Sequence, residues 1–231
     1  MLFDPLYLLA LLPGIALSMW ASIRVKSTFN RYSRVRARSG LSGAEAAREL
    51  IRRAGISHVK VERTPGFLSD HYDPSAKVLR LSPDVYDGRS LAALGVAAHE
   101  AGHALQHADS YAPLAFRSLI VKPAGIGSQL GMYVALAGIF FHAQPMIWLG
   151  IILFSAFILF TLVTLPVEFN ASSRAVKVLV DTGMVARDEA ADTKRVLDAA
   201  ALTYVAAAVA ALLQLLYLLM RAGILGGRDN D

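Results

Sequence analysis

The sequence predicts a mainly α, polytopic membrane fold, with about four transmembrane helices and a small cytoplasmic α+β portion. Three observations lead there. Hydrophobic residues make up 55% of the 231-residue chain and charged ones only 18%, whereas a soluble domain carries about a quarter charged. Four apolar stretches, residues 5–23, 122–141, 146–165 and 200–220, approach or reach the roughly 20 residues that cross a hydrocarbon core as a helix. The cations are also unevenly placed: ten of the 23 Lys and Arg fall between Arg24 and Lys60, directly after the first stretch. That placement reads as membrane topology before it reads as a partner preference. The absence of cysteine excludes a disulfide framework, a thiolate metal site and a Cys nucleophile, so metal chemistry here must use nitrogen and oxygen ligands.

The first stretch is an uncleaved anchor. A signal peptide carries its positive charge ahead of the apolar run, but here Asp4 precedes it and Arg24, Lys26, Arg31, Arg34, Arg36 and Arg38 follow. Its C-terminal end therefore faces the cytoplasm. The later connections agree. Residues 141–145 (FHAQP) hold no Lys or Arg and belong outside, while residues 166–199 hold Arg174, Lys177, Arg187, Lys194 and Arg195 and belong inside. Both termini then lie outside, with Arg221 and Arg228 following the last span. In the second span Lys122 can snorkel to the interface, and Gly127 and Gly131 permit close helix approach, for which packing within the fold is the first explanation. The Ala-rich fourth span, with Thr203, Tyr204 and Gln214, reads as a helix facing protein. The whole chain, 1–231, reads as one membrane domain, with residues 24–117 and the connection 166–199 on the cytoplasmic side.

Within residues 24–117, Ser42 and Glu45 form a candidate capping box, residues 44–53 are good helix formers, and Gly55 is placed to end that helix. Two short runs of β character follow, residues 58–62 and 77–82, separated by a Tyr72-Asp73-Pro74 turn. From Ser90 to about Asp109 the sequence is helical.

That helix contains the main chemical signal, His99-Glu100-Ala101-Gly102-His103, an HExxH sequence. Residues four apart project from one helix face, so the two imidazoles can grip a single Zn2+ while Glu100 leans toward the water that completes the site. Random order of this composition would give about 0.004 such matches, so chance is a poor explanation. A catalytic zinc needs a third ligand, and Glu168 is preferred. It follows Pro166, read as a helix start, at the cytoplasmic end of the third span, where an isolated carboxylate beside lipid is costly. Its structural alternatives are a partner for the helix N-terminal dipole or an ion pair with Arg174. His71, Asp73 and His107 are rival ligands. His107 lies a further turn along the same helix, and His71 and Asp73 sit where turn formation is the default. Charge counting puts the HExxH helix and Glu168 on the same side of the membrane, which the motif itself does not require.

The segments HEAGHALQH at residues 99–107, HYDP at 71–74 and LPVEFNASSRA at 165–175 closely resemble the YugP-type membrane zinc metallopeptidases, neutral zinc metallopeptidase family 2. VKSTFNRYS at 25–33 and AALTYVAAA at 200–208 extend the resemblance over nearly the whole chain. It implies a zincin-like catalytic portion in which His99, His103 and Glu168 hold one Zn2+ and Glu100 is the general base. A wider similarity to HtpX-like membrane proteases rests on an EFxAD pattern. Here the run is Glu168-Phe169-Asn170-Ala171-Ser172, so Ser172 replaces the acid that would orient a ligand His.

The expected activity is a membrane zinc endopeptidase of the bacterial plasma membrane, acting on peptides or membrane proteins in quality control or processing. Tyr72, Tyr204 and Arg174 are candidates to stabilise the oxyanion, and the strand at residues 77–81 is a candidate to pair with an extended substrate. A lipid or other amide could serve as substrate for the same site. The non-enzyme alternative, a zinc-containing scaffold or transporter component, predicts a closed four-ligand site and has no need of Glu100. The partners are the bilayer and a substrate, with room for a homo-oligomer or a membrane partner. Nucleic acid is disfavoured because only Phe29 and Tyr32 are interleaved among the cations of residues 24–53.

Overall fold

Each apolar stretch falls in a longer helix, the second stretch alone reaching one residue past its helix end. The computed structural model describes residues 5–223; Asp4 and Arg228 lie outside them. In chain order the elements are α1 (Pro5–Tyr32), α2 (Gly43–Arg53), β1 (Lys60–Arg63), β2 (His71–Asp73), β3 (Val78–Leu81), α3 (Pro83–Tyr86), α4 (Leu91–Ala108), α5 (Ala112–Phe140), α6 (Gln144–Asp181) and α7 (Ala190–Arg221). Among the described residues, α1, α5, α6 and α7 are long and apolar enough to cross a membrane. The fold is thus mainly helical, with four such helices and a small strand-containing region.

Packing divides the chain into two compact units. One gathers the described residues up to Ser22, Phe116–Leu165 and those from Thr203 onward; the other gathers Ile23–Ala115 and Pro166–Leu202. In the first unit, Ile147, Ile151, Phe154 and Ile158 recur at helical spacing on α6 and pack with Ala135, Ala211 and Leu218. Ile126, Tyr133, Ile152 and Leu159 are exposed, as suits surfaces solvated by lipid. Gly127 and Gly131 serve packing within the chain. A Cβ on Gly131 would lie 2.6 Å from the Phe154 nitrogen, and one on Gly127 would meet the Leu153 carbonyl.

The second unit is built around α4. The capping box on α2 forms as expected: Ser42 N–H donates to Glu45 Oε2 (2.7 Å) and Glu45 N–H to Ser42 Oγ (3.2 Å). The bond from Ser42 N–H, chiefly, holds the Glu45 carboxyl below the usual carboxylate range. Gly55, at φ +70°, follows the end of α2 in the left-handed conformation that glycine adopts freely. Leu50 and Ile51 from α2, Leu79 and Leu81 from β3, and Leu91 and Leu94 from α4 share one buried core. Each such side chain contributes about 1.5–3 kcal/mol by leaving water.

Three expectations need correction. Tyr72 and Asp73 are not a turn between two strands: residues His71–Asp73 form β2, antiparallel to β3 with Tyr72 opposite Leu79. The turn starts at Asp73, whose Oδ1 accepts from Ser75 N–H and Ala76 N–H, both at 3.0 Å. Second, β3 is the central strand of the order β1-β3-β2, parallel to β1 and antiparallel to β2. Both its edges are engaged, so substrate pairing along residues 77–81 is ruled out and the open edges belong to β1 and β2. Third, Pro166 does not start a helix but lies inside α6. Its missing N–H leaves the Leu162 carbonyl without the usual helical donor, yet the helix continues to Asp181. The stretch read as a connection from 166 to 199 is therefore mostly helix.

Candidate metal centre

α4 begins at Ser90, whose Oγ accepts from Ala93 N–H (3.2 Å), and it places His99 and His103 one turn apart on one face. Their rings meet edge to face with centroids 4.7 Å apart. Against them lies the part of α6 that carries Glu168. Gly102 permits this approach: a Cβ there would stand 2.9 Å from the Ala171 carbonyl oxygen. Gly102, inside the HExxH sequence, thus does structural work, because Ala171 lies between Glu168 and Ser172 on α6.

Glu168 is almost wholly buried, with its side chain 2% exposed. Its Oε2 stands 3.2 Å from His99 Nε2 and 3.6 Å from His103 Nε2. One donor atom from each of the three residues lies within 4.8 Å of the other two. Zinc bonds of about 2.0–2.1 Å arranged as a tetrahedron place neighbouring donors about 3.3 Å apart, so the two measured edges match what the ion requires. The donor set, two imidazoles and a carboxylate, is also one that zinc accepts. The cluster can hold a metal ion.

The outward nitrogens of both rings are held as well. Gln106, fully buried, donates through Nε2 to the Val167 carbonyl and to Asn170 Oδ1, each at 2.9 Å. Its Oε1 therefore faces His103 Nδ1, 3.0 Å away, and accepts the ring N–H. That fixes the tautomer of neutral His103 with Nε2 bare toward Glu168. Ser172 Oγ lies 3.1 Å from His99 Nδ1 and holds that ring nitrogen in the same way, outward from Glu168. So the serine that replaces an acid still meets the His99 ring. Gln106 and Asn170 were not singled out by sequence reasoning, since a glutamine late in a helix looks like any polar surface residue.

Burial works against charge on both partners, but their mutual attraction wins. Burial pulls His103 down, and the Glu168 hydrogen bond, the negative charges of Glu100 and Glu168, and Gln106 together hold the imidazole above its ordinary range. Burial would raise Glu168, and its bonds to His103 and His99 hold it well below the usual carboxylate range. The pocket between these groups thus favours positive charge. Glu100 is itself buried, one residue beyond His99. Asp70 lies close enough to feel its charge; burial first, and Glu100 in addition, push the Asp70 carboxyl up against the bonds it accepts from Ser82 N–H (2.7 Å) and Ser82 Oγ (2.9 Å).

The rival ligands stand elsewhere. His107 Nδ1 pairs with the Tyr72 hydroxyl at 2.9 Å, His71 Nδ1 lies 2.8 Å from the Ser69 carbonyl, and Asp73 Oδ2 accepts from Arg80 Nη1 at 2.9 Å. Arg174 pairs with Asp109 and stacks over Tyr111, so its ion pair is not with Glu168. Tyr204 belongs to the other compact unit.

A family model described as "Putative neutral zinc metallopeptidase" matches residues 7–223. The chain belongs to this family. It is also 46% identical over 226 residues to "Putative membrane protease YugP" of Bacillus subtilis (strain 168), covering 98% of this chain and 100% of that relative. No solved structure matches it. His99-Glu100-x-x-His103 with Glu168 accordingly forms an HExxH-like cluster able to hold a metal, consistent with a membrane-bound zinc metallopeptidase. The four long apolar helices and the bacterial relative together support an integral plasma-membrane protein.

Proposed function

We propose that this protein is a zinc-dependent endopeptidase in which His99, His103 and Glu168 hold the ion and Glu100 is the general base. The observation that carries the reading is the pair of donor edges, 3.2 and 3.6 Å, formed by side chains 69 and 65 residues apart in sequence, with both Nδ1 atoms tied back by protein groups. The three residues would hold the ion, which would supply Lewis-acid chemistry at a scissile carbonyl. Glu100, held on the same helix as both imidazoles, is placed to take a proton from an attacking water and to return it to the leaving amine. Gln106 and Ser172 keep both Nε2 atoms directed into the site, so none of this alignment has to be created during reaction. The open edges of β1 and β2 offer backbone groups to an extended peptide, a mode that demands little of its side chains.

The substrates we propose are peptides and membrane-protein segments, cut in the course of quality control or processing. The cation distribution supports a site on the cytoplasmic side with both termini outside. Glu168 is three residues beyond Leu165, the last residue of the apolar stretch 146–165, which favours substrates close to the bilayer. The test pairs zinc content with casein cleavage by detergent-purified protein. Glu100→Gln should keep its metal and lose activity by about 10²–10⁴-fold, the usual contribution of a general base. Glu168→Ala should lose much of both. Unchanged turnover in Glu100→Gln removes the base from the mechanism, and metal-independent cleavage by the wild type removes the metal.

A further inference from the structure

Arg24, Thr28 and Arg31 recur at helical spacing, so they share one face of α1. With Ser27, Tyr32 and Arg195 of α7 they line a cavity of about 510 Å3. Its lining offers three guanidinium groups and three hydroxyls and no carboxylate. Arg195 is held in place: its Nη1 donates to Asp192 Oδ1 (2.5 Å) and to the Tyr32 hydroxyl (3.3 Å), and that hydroxyl donates to Asp192 Oδ1 (3.0 Å). Among the described residues, Arg24 and Arg31 have no carboxylate partner; Arg31 only stacks over the Tyr32 ring, 5.5 Å from its centroid. Three arginines against one carboxylate at the rim leave the cavity strongly positive. Guanidinium forks beside hydroxyl donors are the chemistry that binds phosphate oxygens.

The level of the cavity along the chain points to the source of that phosphate. Arg24 is the first charge after the apolar run of α1, following the exposed Trp20 and Ile23. On α7, Arg195 comes five residues before the apolar stretch that begins at residue 200. Two helices therefore deliver their arginines where a membrane's hydrocarbon gives way to headgroups. We propose that this cavity binds the phosphate of an anionic phospholipid headgroup. A lipid held there joins α1 to the start of α7, reinforcing the link that Tyr32 and Asp192 already make.

The experiment titrates short-chain phosphatidylglycerol into the full chain in zwitterionic detergent, reading binding by native mass spectrometry and stability by thermal unfolding. Phosphatidylglycerol should bind saturably and raise the unfolding midpoint, and phosphatidylcholine should do neither. Arg24→Gln/Arg31→Gln should weaken binding roughly 25-fold and Arg24→Gln alone about fivefold, at about 1 kcal/mol per arginine. Arg34→Gln/Arg36→Gln removes the same charge outside the cavity, where salt screens it from a headgroup bound there, and should leave affinity within about twofold. Equal losses in the two double variants overturn the proposal by reducing it to general surface charge. An equal shift with inorganic phosphate overturns the lipid assignment and makes the ligand a soluble phosphate. Arg24 is exposed, so the single variant still reports if the double variant fails to fold.

Discussion

Replacing Gln106 with leucine should loosen zinc without touching a ligand. The side chain is fully buried and makes three hydrogen bonds, of 3.0, 2.9 and 2.9 Å, to His103, Val167 and Asn170. At about 1 kcal/mol each their loss removes about 3 kcal/mol, and the His103 N–H left without an acceptor adds about 1–3 kcal/mol. Burial of the leucine offsets part of this. For the metal, loss of a group that orients a ligand weakens affinity by about 10- to 100-fold, or roughly 1.4–2.8 kcal/mol. Gln106→Glu separates the two effects. It keeps an acceptor for His103 Nδ1 but loses both donors toward α6, so stability should fall while zinc affinity stays within about tenfold of wild type. The assay is a chelator-competition zinc titration on detergent-purified protein, with thermal unfolding measured on the same samples. A folded Gln106→Leu variant that binds zinc as tightly as wild type would refute the positioning role.

Three further outcomes follow from the same geometry. Ser172→Ala deprives His99 Nδ1 of its 3.1 Å partner and should weaken zinc by about tenfold, whereas Ser172→Asp, which restores an acceptor, should not; the same titration decides. Gly102→Ala would set a Cβ 2.9 Å from the Ala171 carbonyl, and overpacking of about 1–3 kcal/mol should exceed the roughly 1 kcal/mol that alanine gains in a helix, so the unfolding midpoint and zinc stoichiometry both drop. An unchanged midpoint would show that α4 and α6 can separate freely. Asp70 has a raised pKa, so the folded protein holds its proton longer than the unfolded chain and this group costs stability as pH rises above its ordinary 3.8. Asp70→Asn should therefore gain relative to wild type between acid and neutral pH in unfolding scans; a constant difference would contradict the assignment.

Much of the metal site is local, and so it was legible. His99 and His103 share a face because any α-helix brings residues four apart together, and Ser42 with Glu45 form their cap because a first helical turn leaves its N–H groups unpaired. Glu168 could be chosen because a carboxylate at the end of an apolar run must find a counterpart. Gln106 and Asn170 could not. Their roles exist only because α6 crosses α4 at Gly102, a contact between residues more than 60 positions apart. β2 was hidden for a related reason: three residues make a strand only once β3 is beside them to pair with. Pro166 reads as a helix start by propensity, but it stands between two strongly helical flanks, and the helix ran through it.

The sequence by itself determined that the chain lives in a membrane, which segments are apolar enough to span it, and which dyad could grip a metal. These depend on composition and on spacings within one helix, where the backbone repeat sets the geometry in advance. The tertiary structure decided which groups orient the rings of that dyad, how closely the chosen carboxylate meets them, and which strand edges stay open. Those depend on how close two distant segments can come, and that is fixed by side-chain volume at the contact, down to the one missing Cβ of Gly102.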